Sequence, residues 1–320
     1  MSRLIIMPNV MNEKVENRQN ILITGASGQL GSEFRYLSGG MQDNQPVSKA
    51  SENFNFIFVT RKEFDIENTL QIGDFCLQNK IDVIVNCAAY TAVDKAEQEA
   101  EQANAINHLV IRNLAKIAKE QKIKLIHIST DYVFDGTAHK PYKETDITNP
   151  QSIYGKTKLE GELAMQTVNP ANSIIIRTSW VYSEFGNNFV KTMLRLGSER
   201  DEISVVCDQI GSPTNARDLA RAILNIIPQL GVTESDDLIS KKVEIYHYTN
   251  AGVCSWYDFT QAIFEIKNIA CKVNPIPSEA YPTPAKRPYY SVMDKRKIIE
   301  DFNLDLRCWR AGLMKAIELS

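Results

Sequence analysis

The feature that most constrains this chain is a repeated alternation. Short apolar, β-branched runs end at Thr24 ("NILIT"), Thr60 ("NFIFVT"), Asn86 ("IDVIVN"), Thr130 ("IKLIHIST"), Ser179 ("SIIIRTS") and Thr249 ("VEIYHYT"). Helix-length segments such as "EAEQANAINHLVIRNLAKIAKEQ" separate them. Most of the runs are apolar at every position, which suits strands covered on both faces. Strand and helix in alternation predict an α/β fold built on a doubly wound parallel sheet. Of the chain's 320 residues, 43% are hydrophobic and 23% charged, enough for a sizeable core.

The second half breaks the rhythm. "ISVVCD" (203–208) reads as a strand outside the main series. "PIPSEAYPTPAKRP" (275–288) carries five prolines and is expected as an extended surface segment. "LGVTESDDLISKK" reads as a polar loop. These departures predict a smaller α/β lobe drawn mostly from the C-terminal half.

Several function classes drop out early. A formal net charge of −3 offers nothing to a nucleic-acid backbone. No apolar run approaches the roughly 20 residues of a membrane span. The opening "MSRLIIMPNVMNEKVENRQN" is interrupted by Pro8 and shows no small-residue cleavage pattern. Residues 1–19 are therefore expected to be a poorly ordered extension rather than a signal peptide. Six scattered cysteines without C-x-x-C, and four histidines without zinc spacing, predict reduced thiols in a cytoplasmic protein.

The first strand runs straight into "GASGQLG". Gly25, Gly28 and Gly31 then stand between a strand and a helix, as in the phosphate-binding turn of a Rossmann unit. The first glycine permits the tight turn, the second the approach of a pyrophosphate, the third close helix–strand packing. Strand two ends in Thr60 and Arg61 rather than an acidic residue. Arg61 suits a ribose 2′-phosphate, which favours NADPH; as an ordinary exposed arginine it would leave NADH open. Asp65 and Ile66 follow where a loop could cover the adenine. Ala88 and Ala89 leave room for a cofactor at the end of a later strand. Ser129, Thr130 and Asp131 stand at the carboxyl end of another, where open α/β sheets place ligands; Asp131 could equally cap a turn.

Of twelve tyrosines, only Tyr154 has a lysine, Lys158, four residues on. That spacing puts both on one helix face. A neighbouring ammonium and an oxidised nicotinamide ring both favour the phenolate and lower the phenol's pKa. A tuned phenol can give a proton to an oxygen as hydride reaches the attached carbon. Trp180, in "RTSWVY", leaves the sheet on the same side. It offers a flat apolar face to a sugar, or packs between lobes.

With these residues assembled, the chain resembles the extended short-chain dehydrogenase/reductases, and among them the dTDP-4-dehydrorhamnose reductase family. The resemblance runs from about Asn20 to near the C-terminus and rests on "GASGQLG", "VNCAAYTAVDKAE", "STDYVFDG", "YGKTKLEGE", "RTSWVY", "NNFVKTML" and "YPTPAKRP". It implies NAD(P)H-dependent reduction of the 4-keto group of dTDP-4-dehydro-L-rhamnose to dTDP-L-rhamnose, a precursor of cell-surface polysaccharide. By resemblance, Gly25, Gly28, Gln29, Leu30, Asp65, Ile66, Ala88, Ala89 and Tyr90 bind the cofactor. Thr130, Tyr154 and Lys158 are the catalytic set, and Thr130, Asp131 and Trp180 meet the substrate. Asn107 is at most a positioning residue.

Some members of the family dimerise around magnesium through clustered glutamates. The resemblance thus leaves Mg2+ and a homodimer open, and no metal ligand is assigned in this chain. It also leaves two other readings: an NADP-binding regulatory subunit like the β subunit of methionine adenosyltransferase, and a reductase of another nucleotide sugar. The domain division expected is a nucleotide-binding unit of residues 20–182 plus about 211–250, and a substrate lobe of about 183–210 plus 251–320.

Overall fold

The computed structural model describes residues 18–40, 53–62, 64–231 and 242–318. The first 17 residues of the expected extension and most of the polar loop "LGVTESDDLISKK" lie outside the described residues.

In chain order the strands are β1 (Gln19–Thr24), β2 (Phe54–Phe58), β3 (Val83–Asn86), β4 (Lys124–Thr130), β5 (Ile174–Thr178), β6 (Val181–Tyr182), β7 (Glu202–Val206), β8 (Ile210–Gly211), β9 (Thr214–Asn215), β10 (Glu244–His247), β11 (Cys254–Ser255) and β12 (Lys272–Ile276). The helices are α1 (Gln29–Arg35), α2 (Thr69–Gln78), α3 (Val93–Ala96), α4 (Ala100–Asn104), α5 (Val110–Gln121), α6 (Ile153–Val168), α7 (Phe189–Glu199), α8 (Ala216–Ile226), α9 (Trp256–Lys267), α10 (Arg296–Phe302) and α11 (Trp309–Glu318). Each of the six apolar runs in the sequence supplies one strand of a single parallel sheet, ordered β2-β1-β3-β4-β5-β10.

Neighbouring residues of each strand serve opposite faces. Ile21, Ile23, Val83, Val85, Ile174 and Ile176 pack under α1 and α8. Leu22, Ile84, Leu125 and Ile175 pack under α2 and α5. Burial of each such side chain contributes about 1.5–3 kcal/mol, so the sheet is a rigid floor. The order in which strands are added reverses between β1 and β3. β1 leads outward to β2 on one side, while β3 begins the walk to β10 on the other. Ligands of open α/β sheets bind at this switch point, beyond the strands' carboxyl ends.

A further apolar cluster joins α7, α9 and α11 to the parallel pair β7–β12, around Met193, Ile203, Phe259, Ile263, Val273 and Leu313. Here the proline-rich stretch departs from expectation. Its first residues are strand, with Pro275 paired to Val205; a two-stranded sheet tolerates a residue without N–H at its edge. Further along, Ala285 is fully buried. Among the described residues, no helix is long and apolar enough to cross a membrane.

Candidate active site

At the switch point, Gly25 has φ +63°, and a Cβ there would stand 2.7 Å from the backbone nitrogen of Ala88. Only glycine fits both the left-handed turn and that approach. Gly28 closes the turn by donating its N–H to the Gly25 carbonyl at 2.9 Å, and α1 begins with the next residue. A cavity of about 280 Å³ opens here, lined by Gly25, Gly28, Thr60, Arg61, Ile66, Ala88 and Ala89 among others.

Two expected cofactor residues lie elsewhere. Asp65 is exposed and accepts the Glu67 N–H at 2.9 Å, so it shapes its own turn. Tyr90 bonds Glu99 through its hydroxyl. The Tyr90 backbone is clamped by Asn107, which accepts its N–H at 2.9 Å and donates to its carbonyl at 3.1 Å. Asn107 also reaches the Thr157 hydroxyl at 3.3 Å, tying the strand-end loop to α6. The Gln29 amide is spent within the protein, donating to the Val181 carbonyl at 3.3 Å and accepting from Asn188 at 3.0 Å.

A wider cleft of about 530 Å³ continues from this cavity; Gly28, Cys87, Ala88 and Ala89 line both. Gln29, Leu30, Thr130, Asp131, Tyr154, Lys158 and Trp180 all line the cleft. Ser152 caps α6 by accepting the Gly155 N–H at 3.1 Å, which sets Tyr154 in the first turn. The helix can sit that close because residue 155 is glycine; a Cβ there would lie 2.3 Å from the Tyr132 carbonyl oxygen.

Thr130 lies between two functional groups. Its hydroxyl donates to Asp131 Oδ1 at 3.0 Å, accepts the Tyr132 N–H at 3.2 Å, and bonds the Tyr154 phenol. Burial pushes the Asp131 carboxyl up to about 6, against the pull of the Ser291 and Thr130 hydroxyls. Asp131 Oδ2 is buried without a hydrogen bond of ordinary geometry. Asp131 is nevertheless one of the residues that line the cleft.

Lys158 is 1% exposed and donates to the Ile128 carbonyl at 2.6 Å. Burial lowers its pKa to about 8, although Glu162 acts the other way. The protein's own groups do not lower the Tyr154 pKa. Burial pushes the phenol up to about 12, the Thr130 hydrogen bond only partly offsetting it. With the ammonium turned to β4, desolvation wins over attraction.

Trp180 stands in the wall of the cleft. Its ring stacks on Trp256 with centroids 3.6 Å apart and planes at 10°. Its φ of +50° is strained for an aromatic residue. Trp256 is a cleft residue that the sequence reading missed, because only tertiary packing brings α9 to β5. Thr178 and Ser179 were missed too, although they end a strand on the same edge as Thr130. Among the described residues, no three His, Cys, Asp or Glu side chains gather to hold a metal.

Comparison with known proteins agrees with this geometry. The family model described as the RmlD substrate binding domain matches residues 19–320. A dTDP-4-dehydrorhamnose reductase from Aggregatibacter actinomycetemcomitans is 42% identical over 300 residues, covering 92% of this chain and 96% of the relative. Among solved structures, a dTDP-4-dehydrorhamnose reductase from Clostridium acetobutylicum superposes with a TM-score of 0.83 at 42% identity, covering 94% of this chain and 99% of that one. One from Bacillus anthracis, in complex with NADP, gives 0.84 at 36% identity over 95% and 100%. The chain therefore belongs to the RmlD substrate binding domain family, with the dTDP-4-dehydrorhamnose reductases as its relatives.

Proposed function

We propose that this protein reduces the 4-keto group of dTDP-4-dehydro-L-rhamnose to the alcohol of dTDP-L-rhamnose, using NADPH. The observation that carries this reading is the meeting of Thr130, Tyr154 and Lys158 in one cleft continuous with the Gly25–Gly28 cavity. That cavity suits a dinucleotide: the Gly25 and Gly28 backbone of the turn lines it, and Arg61 stands in its wall for a 2′-phosphate. We further propose that residues 20–182 with about 211–250 hold the nucleotide, and that about 183–210 with 251–320 hold the sugar.

When bound, the reduced nicotinamide would supply hydride to the carbonyl carbon. Tyr154 gives its phenolic proton to the carbonyl oxygen. Its raised pKa keeps that proton in place at neutral pH until charge develops on the oxygen. Thr130 holds the phenol and offers a second contact to the same oxygen. Asp131, in the cleft lining, takes a sugar hydroxyl through its carboxylate. Trp180 lays an apolar face against the sugar ring, and Lys158 binds a ribose hydroxyl and places positive charge near the phenol. All six cysteines are unpaired, which supports a reducing compartment, the cytoplasm.

The test is to mix pure protein with NADPH and dTDP-4-dehydro-L-rhamnose and follow the absorbance of reduced nicotinamide. Substrate-dependent oxidation with stoichiometric dTDP-L-rhamnose supports the reading. Cofactor binding without turnover overturns it.

A further inference from the structure

Beneath Lys158, a row of buried polar side chains crosses three strands. Strand register sets Thr24 beside Asn86, and Asn86 beside His127. The side chains follow. Thr24 Oγ1 lies 2.6 Å from Asn86 Oδ1, the Asn86 amide 3.1 Å from His127 Nδ1, and His127 Nε2 3.4 Å from Lys158 Nζ. All four residues are no more than 1% exposed. Water cannot repair a bad contact in such a row.

One contact is bad if the groups are taken as they stand. With Asn86 Nδ2 facing Nδ1, the imidazole must accept there and carry its proton on Nε2. That N–H would point at an ammonium, donor against donor. Amide oxygen and nitrogen exchange places by a half-turn of the side chain at little change in shape. Turned over, Asn86 Oδ1 accepts Nδ1–H and the bare Nε2 accepts from Lys158. Asn86 Nδ2 then donates to Thr24 Oγ1, at the loss of only a 3.4 Å contact to the Ala88 carbonyl. This arrangement also frees the Thr24 O–H to point into the cavity beside Gly25, whose wall Thr24 forms.

We propose that His127 is a positioning residue: as the Nδ1–H tautomer it holds Lys158 as an ammonium, and through Asn86 it turns the Thr24 hydroxyl toward the nucleotide cavity. The charge on Lys158 and the donor offered to the cofactor are thereby coupled across the sheet. Burial and the neighbouring ammonium hold the imidazole well below the usual histidine range, so it stays neutral and able to accept. The charged groups around Lys158 do not compete for this role. Glu162, one turn along α6, is bound by Arg177 at 2.7 Å and by Ser129 at 2.5 Å. Tyr154 and Asp131 face the cleft mouth.

The catalytic consequence rests on the role given to Lys158 above, but the tautomer does not. In cofactor-free protein labelled with 15N-histidine, among four histidines, His127 should be neutral at pH 7, with Nδ1 protonated and Nε2 bare. The opposite tautomer, or an imidazolium, overturns the proposal.

Two variants supply a second readout. Gln at 127 can still present an acceptor where Nε2 stood, whereas Asn reaches only the Nδ1 position. His127→Asn should move the basic limb of the kcat/KM pH profile down by about one unit, because the ammonium loses an acceptor. His127→Gln, which keeps that acceptor but has no donor for Asn86, should leave the limb near wild type and raise KM for NADPH instead. Equal loss of thermal stability in both variants with unmoved pH limbs means packing only, and refutes the coupling. If Lys158→Met retains turnover, the catalytic reading fails, and the tautomer measurement still decides the row.

Discussion

Replacing Lys158 by methionine should make the cofactor-free protein more stable at pH 7. The side chain is 1% exposed, and burial brings its pKa from 10.5 down to about 8. The unfolded chain therefore holds a proton between about 8 and 10.5 that the folded protein lacks. In that window wild-type stability rises with pH; below it, the full cost of the buried ammonium is present. At about 1.4 kcal/mol per pH unit the cost is roughly 3 kcal/mol. Methionine keeps the stem's volume but loses the bonds to the Ile128 carbonyl and His127, about 1–3 kcal/mol together. The net expectation is a gain of up to about 2 kcal/mol at pH 7, at most about 4 °C in Tm for a chain of this size. Above pH 10.5 the gain should vanish or reverse. Urea unfolding of both proteins at pH 7 and pH 9.5 reads the difference. A variant less stable than wild type at pH 7, by an amount that does not change with pH, would falsify the claim that a buried ammonium is held here against stability.

The other expectations concern turnover and selectivity. Tyr154→Phe should keep NADPH binding near wild type, measured by nucleotide fluorescence, and lower turnover by roughly 10²–10⁴-fold; near-normal turnover removes Tyr154 from the proton-donor role. Arg61→Ala should narrow the ratio of kcat/KM for NADPH over NADH, and an unchanged ratio makes Arg61 an ordinary rim residue. Trp180→Phe should lower kcat/KM for the nucleotide sugar while Tm stays near wild type. Trp180→Ala, which opens a gap against Trp256, should also lose stability, by up to about 3–5 kcal/mol. A kinetically normal Trp180→Phe beside a strongly destabilised Trp180→Ala reduces Trp180 to interlobe packing.

The sheet was legible because parallel strands covered on both faces have an unambiguous signature. All six runs read as strands lie in it. The Gly25 turn was legible for a similar reason, since a left-handed residue packed against Ala88 tolerates no side chain. The electrostatics were not legible. Tyr154 and Lys158 at i and i+4 suggested a phenol lowered by its neighbour. Spacing carries no information on burial, and burial pushes the phenol up to about 12. Asp65 shows the same limit. A loop position says nothing of where a carboxylate points, and this one bonds the Glu67 N–H of its own turn. Trp256 and the row from Thr24 to His127 are tertiary: strand register and helix docking create them, and no local pattern announces them.

Register and docking also decide how the cleft is held open to one shape. Its two walls meet through a few directional contacts in addition to apolar packing. Gln29, the first residue of α1, accepts from Asn188, and the same asparagine caps α7 by accepting the Lys191 N–H at 3.1 Å. Asp94 of α3 accepts the Ala285 N–H at 3.2 Å and the Arg287 guanidinium at 2.6 Å, fixing the end of the proline-rich stretch. Trp180 and Trp256 stack between them. Each contact joins a residue next to the cofactor loop or strand end to an element from the other half of the chain. Hydrogen bonds of this kind contribute only about 0.5–1.5 kcal/mol each, so they add little to stability, but their geometry is narrow. A small shift of the Gly25–Gln29 turn must therefore move the α7 cap with it. In this fold the Gly25–Gln29 turn and the α7 wall of the cleft are placed by the same few side chains.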